Sequence, residues 1–595
     1  MTEQATRYPL PIHGEGLASL VPCSHGAGCP LGVDAPAIAH AVRSGDHARA
    51  YLIARGPNPF ASTCGHGCHA PCETACRRRH FGAPVAIGSL EAYASGFSTP
   101  ALFASPEPCT SAHDARSVAG LVGRDPDAAR RAARSGRRVA VIGAGVSGLA
   151  CAHDLALLGH GCVLYDSGAE PGGIVTSVIP GFRFPTAAAR AECAAILSLP
   201  LELIAASRIE GRDQLRALLA AEFDAIFLAI GASAPAASPF PEQPTHPRVV
   251  DAMALLTARL PLSGRVVVVG DGDLAVDAAR LAMRRPRSED AAPVMAADLV
   301  LETPLEEASI NPELIAAAMR DGVAVHSGWR AKRWIGTEEG LLTGVEIVRN
   351  GPDRLSKVLA CDDLVTAPRR VPRVDFGPEL ALDGRGYISV DPDTYQTSMP
   401  GVWAGGACAL GHRSIAHAAA DGKRAAWHIH SVLTREPIRI VVSAAWVEAD
   451  DWSAEGTPRA LGAHRIDMPI SAAPPADPFS SSALRDAQEV AHEAERCFDC
   501  TVRPLVEDAL CTRCGRCVGA CPVGAFAIVG DPKELVFDEA LCHRCGVCVG
   551  ACPESAIALA RAIWEERLES GPEPVPQPAE RLEDSALDES WSPAG

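Results

Sequence analysis

The sequence predicts a multidomain α/β fold, in which two nucleotide-binding α/β domains lie between an N-terminal α-helical domain and a small C-terminal α+β domain. Three observations support this prediction. The chain has 595 residues, which is too many for one hydrophobic core. Two glycine-rich turns each connect an apolar strand to a helical pattern. Most of the 22 cysteines fall in closely spaced groups before residue 80 and after residue 496.

Composition and charge narrow the functional classes. The formal net charge is −18 and aromatic residues make up 5% of the chain, which argues against nucleic-acid binding, because a polyanion requires a basic surface. No run of about 20 apolar residues predicts a membrane-spanning helix. The first residues, MTEQATRYPLPIHGEG, lack the pattern of a secretory signal. Cysteine groups without such a signal favour metal ligands in a reducing compartment, so we expect a cytoplasmic protein.

Motifs and composition divide the chain into eight segments. We expect a helical domain, a polar linker, the first part of a nucleotide-binding domain, a second nucleotide-binding domain inserted into it, its second part, a linker with a CxxC pair, a cysteine-rich domain and a disordered acidic tail. Their predicted bounds are, in the same order, 1–105, 106–135, 136–248, 249–375, 376–435, 436–505, 506–562 and 563–595.

The strongest signal is the run CxxCxxCxxxCP, which occurs twice in the cysteine-rich domain. The first run comprises Cys511, Cys514, Cys517 and Cys521, and the second comprises Cys542, Cys545, Cys548 and Cys552. Three thiolates on one loop bind three irons of a [4Fe–4S] cluster, and the fourth cysteine reaches the other cluster. We therefore expect two clusters, in which Cys552 completes the first set of three and Cys521 completes the second. The alternative, a pair of zinc sites, does not explain the duplicated run. The segment resembles bacterial two-cluster ferredoxins.

The first glycine-rich unit reads RRVAVIGAGVSGLACAHDL from Arg137. Gly143 permits a tight turn after the strand, Gly145 lets a pyrophosphate approach the backbone, and Gly148 lets helix and strand pack closely. A second apolar strand ends at Asp166, which is placed to accept a hydrogen bond from a ribose hydroxyl. The glycines that follow, Gly172 and Gly173, agree with a dinucleotide site.

A second unit, RVVVVGDGDLAVDAARLAMR from Arg265, places Gly270 and Gly272 between four valines and another helix. A later segment, GVWAGG, contains Gly405 and Gly406 and returns the chain to the first domain. One dinucleotide unit inserted into another predicts two Rossmann-like domains, which is the arrangement of flavoenzymes that bind two dinucleotides.

Residues from about 20 to 435 resemble the small subunit of glutamate synthase and its relatives, which include the N-terminal part of dihydropyrimidine dehydrogenase and the larger subunit of NADH-dependent ferredoxin:NADP oxidoreductase. The stretches that carry the resemblance are GGIVTSVIPGFRFP (172–185), FDAIFLAIGA (223–232) and GRGYISVDPDTYQTSMPGVWAGG (384–406). The resemblance implies FAD in the first unit, a pyridine nucleotide in the second, and hydride transfer between them. It implies no catalytic side chain, because the cofactors carry this chemistry.

Three departures from the family pattern bear on these sites. Ala407 stands where relatives have an aspartate that binds the FAD ribityl chain. Asp271, in the second glycine loop, would place a negative charge beside the incoming pyrophosphate. Glu302 follows the next strand, where NADP-dependent relatives have an arginine, and a carboxylate there favours a 2′-hydroxyl over a 2′-phosphate. We therefore expect NAD(H), with a decayed nucleotide site as the alternative.

The resemblance also implies one or two [4Fe–4S] clusters in the N-terminal domain. By position, it assigns Cys29, Cys68 and Cys72 to the cluster nearer the flavin, and Glu91 falls where relatives supply the fourth ligand.

The other N-terminal cluster has an incomplete ligand set. Cys23 and Cys76 match two of its ligands, but the CxxC pair that relatives carry upstream is missing. Two candidates could fill the gap: Cys64, which is close in sequence, or Cys497 and Cys500 in HEAERCFDC, beyond the flavin domains. We favour the second hypothesis. The alternative is a single cluster and several free thiols.

Together, these features predict an FAD and iron–sulfur oxidoreductase subunit. It would pass electrons between NAD(H) and a ferredoxin-type partner protein or the catalytic subunit of a larger complex, without nucleic acid and without membrane insertion. The alternative is a non-catalytic electron relay whose nucleotide site is degenerate.

Overall fold

The computed structural model of the chain describes residues 21–96, 135–448 and 487–570, apart from short gaps. The gaps are residues 25–27, 184, 259, 285–292, 309, 311, 339, 352–354, 374, 412, 499, 501, 540, 543 and 545. The predicted linker 106–135 therefore lies outside the described residues except for Ser135, and the predicted ligand Cys545 lies outside them too. Within the described ranges, no helix combines the length and the apolar character needed to cross a membrane.

The N-terminal domain is α-helical, as predicted. Its helices are α1 (Ala35–Arg43), α2 (His47–Arg55), α3 (Ala61–Gly67), α4 (Pro71–Thr74) and α5 (Ile87–Ser95), with a 3-10 turn at Arg77–Phe81. The first two helices begin at aspartates, Asp34 and Asp46, whose carboxylates accept the N–H groups of the first turn. Cys64 and Cys72 stand in two of these helices, and Cys23, Cys29, Cys68 and Cys76 stand in the loops beside them.

The first nucleotide-binding domain starts with alternating strands and helices. They are β1 (Arg138–Ile142), α6 (Val146–Leu157), β2 (Gly161–Tyr165), α7 (Ile174–Ser177), α8 (Thr186–Leu197), β3 (Leu201–Ile204), α9 (Arg212–Ala221) and β4 (Ala225–Leu228). All residues of β4 and all but the first of β1 are buried, as expected for the centre of a parallel sheet.

The inserted domain follows. Its elements are β5 (Ala234–Pro235), β6 (Val249–Asp251), α10 (Ala252–Ala258), β7 (Gly264–Val269), α11 (Asp273–Arg284), β8 (Val294–Leu301), α12 (Pro312–Arg320), β9 (Ala324–Ser327), β10 (Trp329–Gly336), β11 (Leu342–Arg349), β12 (Ser356–Ala360), β13 (Asp363–Thr366) and β14 (Arg370–Val371). A parallel sheet of order β6-β13-β7-β8-β9 forms its centre, and β10, β11 and β12 form an antiparallel sheet.

The chain then completes the first domain. The elements β15 (Val402–Ala404), α13 (Ala407–Leu410) and α14 (Ile415–Thr434) follow the insertion. Strand β15 pairs in parallel with β4, which gives a sheet of order β15-β4-β1-β2-β3. Two parallel sheets, one inserted into the other, confirm the predicted pair of Rossmann-like domains.

The C-terminal module is built on a pseudo-repeat. Its elements are β16 (Ile438–Glu448), α15 (Ala487–Glu495), β17 (Val502–Val506), α16 (Arg516–Ala520), β18 (Phe526–Val529), β19 (Glu534–Phe537), α17 (Val547–Ala551) and β20 (Ile557–Ser570). The short helices α16 and α17 each follow a glycine in the left-handed region, Gly515 (φ +79°) and Gly546 (φ +72°). Each carries the third cysteine of its run.

Two predicted boundaries are wrong. The predicted linker 436–505 contains β16, α15 and most of β17, and the predicted disordered tail from residue 563 begins inside β20. Strand β20 is the centre of an antiparallel sheet, because it pairs with β16 along Glu448↔Ala560 to Ile438↔Ser570 and with β17 on its other side. The partners of β20 lie far away in sequence, more than a hundred residues for β16, and leave no local signal such as a turn. Composition alone therefore misassigned both segments.

Candidate functional site

A cavity of about 1100 Å³ lies at the carboxyl end of the first parallel sheet. It is lined by the loop between β1 and α6, which includes Gly143 and Gly145. A β-carbon on Gly145 would meet nothing within 4 Å, so the backbone faces open space there. Ligand pockets usually have volumes of about 300–1000 Å³. This cavity lies just above that range and is large enough for a dinucleotide. The N-terminus of α6 faces the cavity, where its N–H groups favour a pyrophosphate.

The predicted flavin-site residues converge on this cavity. Asp166, Gly172, Gly173, Gly405 and Gly406 all line it. The carboxylate of Asp166 accepts the N–H of Ala144 (2.6 Å) and the N–H of Gly168 (2.6 Å), and this fixes its position at the edge of the glycine loop. Gly148 lies behind the loop, where a β-carbon would come within 1.9 Å of the Gly143 carbonyl oxygen. These residues fit FAD, and their assignment to the flavin site stays a prediction.

Sequence reasoning missed a charged pair in the same cavity. Asp421, on α14, accepts two hydrogen bonds from the Arg413 guanidinium (2.6 and 2.7 Å), and both residues line the cavity with Ala407. Burial raises the pKa of Asp421 although Arg413 opposes the shift. The segment HAAADGKRAAWHI contained the signal, because Asp421 is an acidic residue in an apolar helix. Asp421 thus places a carboxylate beside Ala407, the position at which the family pattern has an aspartate.

Two acidic side chains, Asp271 in the second glycine loop and Glu302 after β8, lie near each other in the inserted domain. Gly270 and Gly272 lie between β7 and α11. The carboxylate of Asp271 accepts the N–H of Thr303 (3.2 Å) and its hydroxyl (3.0 Å), so it is held against the end of β8. Glu302 precedes Thr303, is exposed, and lies 3.9 Å from Arg330. Both carboxylates therefore flank the end of β8, where a nucleotide ribose is expected.

The start of α11 connects three domains. Asp273 accepts a hydrogen bond from Nε2 of His69 (2.5 Å), in the N-terminal domain, and from Arg183 (3.3 Å), in the first nucleotide-binding domain. Arg183 also donates to Asp277 (2.8 Å), one helical turn further on. Burial lowers the pKa of His69, but the hydrogen bond and charge of Asp273 outweigh it and the pKa is raised. The inserted domain is thus tied to both neighbours beside its glycine loop.

The predicted flavin-proximal cluster ligands lie close enough to affect one another's pKa; Cys72 is buried, and Cys29, Cys68 and Glu91 are partly buried. Burial and then the charge of Glu91 raise the pKa of Cys29 to about 12. Burial also raises the pKa of Cys72, followed by the charges of Glu91, Glu73, Cys29 and Cys68. Burial raises the pKa of Glu91 itself to about 8. After Cys64, the Ser414 side chain and the N–H groups of Ala70 and Ala416 lower the pKa of Cys68, and Ser414 and Ala416 stand at the start of α14. Because Ser414 lines the large cavity, this group adjoins the flavin site.

Cys64 lies with this first group. Its thiol hydrogen-bonds to Cys68, which lowers the pKa of Cys68 to about 6. It does not line the cavity that Cys23 and Cys76 share. The structure therefore does not support the alternative in which Cys64 completes the second N-terminal set.

Cys23, Cys76, Cys497 and Cys500 line a second, small cavity. After burial, the largest influences on the pKa of Cys23 are Cys76, Cys500 and Cys497, and all of them raise it. The structure thus brings the CxxC pair from beyond the flavin domains to the N-terminal cysteines. Within the described residues, no three His, Cys, Asp or Glu side chains converge on a point that would hold a single ion; these cysteines surround a cavity instead.

The C-terminal module has two further cysteine-lined cavities. One is lined by Cys511, Cys514, Cys517 and Cys552, and the other by Cys521, Cys542 and Cys548, with Cys545 outside the described residues. The last cysteine of each run thus joins the cavity of the other run, as the spacing predicts. The sulfurs of Cys521 and Cys552 accept the N–H groups of Ala525 (3.2 Å) and Ala556 (3.3 Å), and such bonds tune a cluster's potential.

An ion pair between Arg77 and Glu539 joins this module to the N-terminal domain. Glu539 accepts from Arg77 (3.4 Å), which follows Cys76, and from Arg503 (3.1 Å) and Arg544 (3.2 Å) of its own module. The N–H of Cys542 donates to the Glu539 carbonyl (3.3 Å), and Arg544 lines the cavity of Cys542. The cavity that contains Cys542 therefore lies on the side of the module that faces Cys76.

Three family models match consecutive parts of the chain. The model described as pyridine nucleotide-disulphide oxidoreductase matches residues 137–422. The model of dihydropyrimidine dehydrogenase domain II, 4Fe-4S cluster, matches residues 21–100, and a 4Fe-4S dicluster domain matches residues 510–557. The chain therefore combines a region similar to pyridine nucleotide-disulphide oxidoreductases with a region similar to a 4Fe-4S domain on each side of it.

Curated relatives are named as subunits of redox enzymes. The beta subunit of NADP(+)-dependent formate dehydrogenase from Moorella thermoacetica is 30% identical over 71% of this chain and 62% of its own length. The beta subunit of NADPH-Fe(3+) oxidoreductase from Geobacter sulfurreducens is 28% identical over 60% of this chain and 52% of its length. The PreT subunit of NAD-dependent dihydropyrimidine dehydrogenase from Escherichia coli O157:H7 is 24% identical over 69% of this chain and 91% of its own length.

The chain spans between about half and two thirds of the length of the first two relatives. The predicted resemblance to dihydropyrimidine dehydrogenase is confirmed. The narrower likeness to the small subunit of glutamate synthase stays a prediction.

Proposed function

We propose that this chain is a cytoplasmic oxidoreductase subunit that passes electrons between NAD(H) and a ferredoxin-type partner or a partner subunit. The observation that carries the proposal is a continuous series of sites. The large cavity meets the first cysteine group at Ser414 and Cys68, and the second cysteine group meets the C-terminal module at Arg77 and Glu539. A flavin exchanges two electrons with a nicotinamide and single electrons with clusters.

The chain's own residues supply binding, orientation and exclusion of water. The loop of Gly143 and Gly145 and the N-terminus of α6 would hold the FAD pyrophosphate, and Asp166 would position the adenosine ribose. Arg413 and Asp421 are held by each other beside Ala407. Among the described cysteines of the C-terminal module, only Cys514 is exposed. The cavity that contains Cys514 is therefore the candidate contact with a partner protein.

The acidic end of β8 supports NADH as the nucleotide. Asp271 and Glu302 flank Thr303, and two carboxylates repel a 2′-phosphate but accept a hydrogen bond from a 2′-hydroxyl. Two of the relatives are named for NADP or NADPH and one for NAD, so the names alone do not decide the nucleotide for this chain.

The test compares NADH with NADPH, in the wild-type chain and in two variants. The purified, cluster-loaded protein is mixed anaerobically with NADH or NADPH while flavin and iron–sulfur absorbance are recorded. We expect rapid bleaching with NADH and slow bleaching with NADPH. Glu302→Arg should shift the ratio of the two affinities towards NADPH by at least about tenfold, which corresponds to about 1.4 kcal/mol. Glu338→Arg makes the same charge change on the exposed turn between β10 and β11 and should leave the ratio unchanged.

Tighter binding of NADPH than of NADH by the wild-type chain would contradict the nucleotide assignment. Bleaching by dithionite but by neither nucleotide would instead favour the relay function, in which the second site is degenerate. Asp273 gives that alternative a structural basis, because it places a further carboxylate at the start of α11.

A further inference from the structure

We propose that Cys23, Cys76, Cys497 and Cys500 together bind one [4Fe–4S] cluster, which joins the N-terminal domain to the segment that leads into the C-terminal module. The family model of the N-terminal domain matches residues 21–100 and so contains only two of these cysteines. The inference concerns the ligands of the cluster, and it does not depend on which nucleotide or acceptor the chain uses.

These four thiols share one enclosed space. All four line the same cavity, whose other walls are largely apolar and include Pro22, Ala39, Val85 and Ile87. Cys23 and Cys500 are buried, and Cys76 and Cys497 are partly buried. Four thiolates are the complete ligand set of a [4Fe–4S] cluster, and CxxC pairs are common in such sets.

Buried hydrogen bonds hold the CxxC segment against the N-terminal domain. The carboxylate of Glu493, on α15, accepts the N–H of Ala86 (2.7 Å), just before α5. Arg496, adjacent to Cys497, donates to the carbonyl oxygens of Pro84 (3.0 Å) and Ala83 (2.7 Å). Glu493 and Arg496 also pair with each other, and both are almost fully buried. Paired and fully hydrogen-bonded charges can be buried, whereas unpaired ones are strongly unfavourable.

The side chain of Phe498 closes the cavity from the CxxC side. The ring of Phe498, between the two cysteines, lies 5.2 Å from the guanidinium of Arg78, and both side chains line the cavity. A cation at this distance from an aromatic face is attracted to it. Helix α15 packs against α1 and α5, which flank the cavity in the N-terminal domain. The segment 487–500 is therefore part of the N-terminal domain in space, although the whole flavin region separates them in sequence.

The position of this cluster follows from its neighbours. Arg77, which lines the cavity, contacts Glu539 of the C-terminal module (3.4 Å). The proposed cluster would thus lie between the N-terminal cluster at Cys68 and the module's cluster at Cys542. It would also fix α15 to the N-terminal domain.

The experiment measures iron and acid-labile sulfide in full-length chains that are purified without oxygen. Four [4Fe–4S] clusters give about sixteen irons per chain, and Cys497→Ser with Cys500→Ser should remove about four of them. Cys23→Ser with Cys76→Ser should remove the same four, and the combination of all four substitutions should remove no more than about four. Cys361→Ser, at a lone buried cysteine of the inserted domain, is the matched control and should retain all the iron.

Unchanged iron content after replacement of Cys497 and Cys500 would overturn the proposal. A loss of about eight irons in the combined variant would also overturn it, because the two pairs would then belong to separate clusters. If the serine variants do not fold, Cys500→His keeps a ligand at the same position. It should change the electron paramagnetic resonance spectrum of one cluster, and an unchanged spectrum would refute the proposal. These readouts require no nucleotide, so they can fail while NADH oxidation succeeds.

Discussion

A Gly148→Ala variant is expected to be purified without flavin and with reduced stability. The new β-carbon would lie 1.9 Å from the carbonyl oxygen of Gly143 and 3.2 Å from the β-carbon of Ala229. The first contact is with backbone, which cannot rotate away, so α6 must move from β1. Overpacking of this kind costs about 3 kcal/mol or more. Flavin content by absorbance, and the midpoint of chemical unfolding, measure the two effects.

Gly145→Ala is the matched control, because it adds the same methyl group two residues after Gly143. Its β-carbon would meet nothing within 4 Å in the protein, so the fold should be unchanged. The methyl group would nevertheless occupy the space that the FAD pyrophosphate is expected to approach. We expect a chain as stable as the wild type, measured in the absence of flavin, with lower flavin occupancy. Full occupancy would place the pyrophosphate elsewhere, and wild-type stability of Gly148→Ala would refute the packing argument.

The second large effect is expected at Asp154. This fully buried residue on α6 accepts hydrogen bonds from Lys423 (2.9 Å) and Trp427 (2.8 Å) on α14 and from His153 (2.8 Å). Burial opposes ionisation of Asp154, but Lys423 and His153 outweigh it and lower its pKa. Asp154→Ala would leave the buried ammonium of Lys423 without its counter-ion, at a cost of about 3–5 kcal/mol. Chemical unfolding should show this loss.

The matched control for Asp154 is Asp213→Ala, at a side chain that is 94% exposed on α9. It should change the free energy of unfolding by no more than about 0.5 kcal/mol. A second variant, Asp154→Ala with Lys423→Met, removes both charges and should recover part of the loss. An equal effect at Asp213 and Asp154, or no recovery in the double variant, would show that the buried pair does not hold α6 to α14.

Short-range patterns account for the features that the sequence predicted. The spacing of the last eight cysteines and the glycine loop from Gly143 to Gly148 each place their residues within one turn or one loop. Such local geometry depends on neighbouring residues, so a motif specifies it. The exchange of Cys521 and Cys552 between the two loops follows from the same spacing.

Long-range contacts account for the features that the sequence did not predict. These contacts join residues far apart in sequence. They are the pairing of β16 with β20, the hydrogen bonds that the carboxylates of Glu192 and Glu493 accept from backbone N–H groups of the N-terminal domain, and the contact of Asp273 with His69. Glu192 illustrates the difficulty. It looks like an ordinary helical glutamate, yet it is fully buried, accepts the N–H groups of Ser62 (2.6 Å) and Thr63 (3.1 Å), and has a pKa raised by burial to about 7.

The central claim is that a nicotinamide nucleotide and the C-terminal clusters exchange electrons through this one chain. The most direct measurement is electron paramagnetic resonance of the anaerobic protein, frozen after reduction with NADH. We expect the signals of reduced [4Fe–4S] clusters, and replacement of Cys511 and Cys514 by serine should remove the contribution of one C-terminal cluster. A sample whose flavin is reduced by NADH, while dithionite alone produces the cluster signals, would contradict the claim.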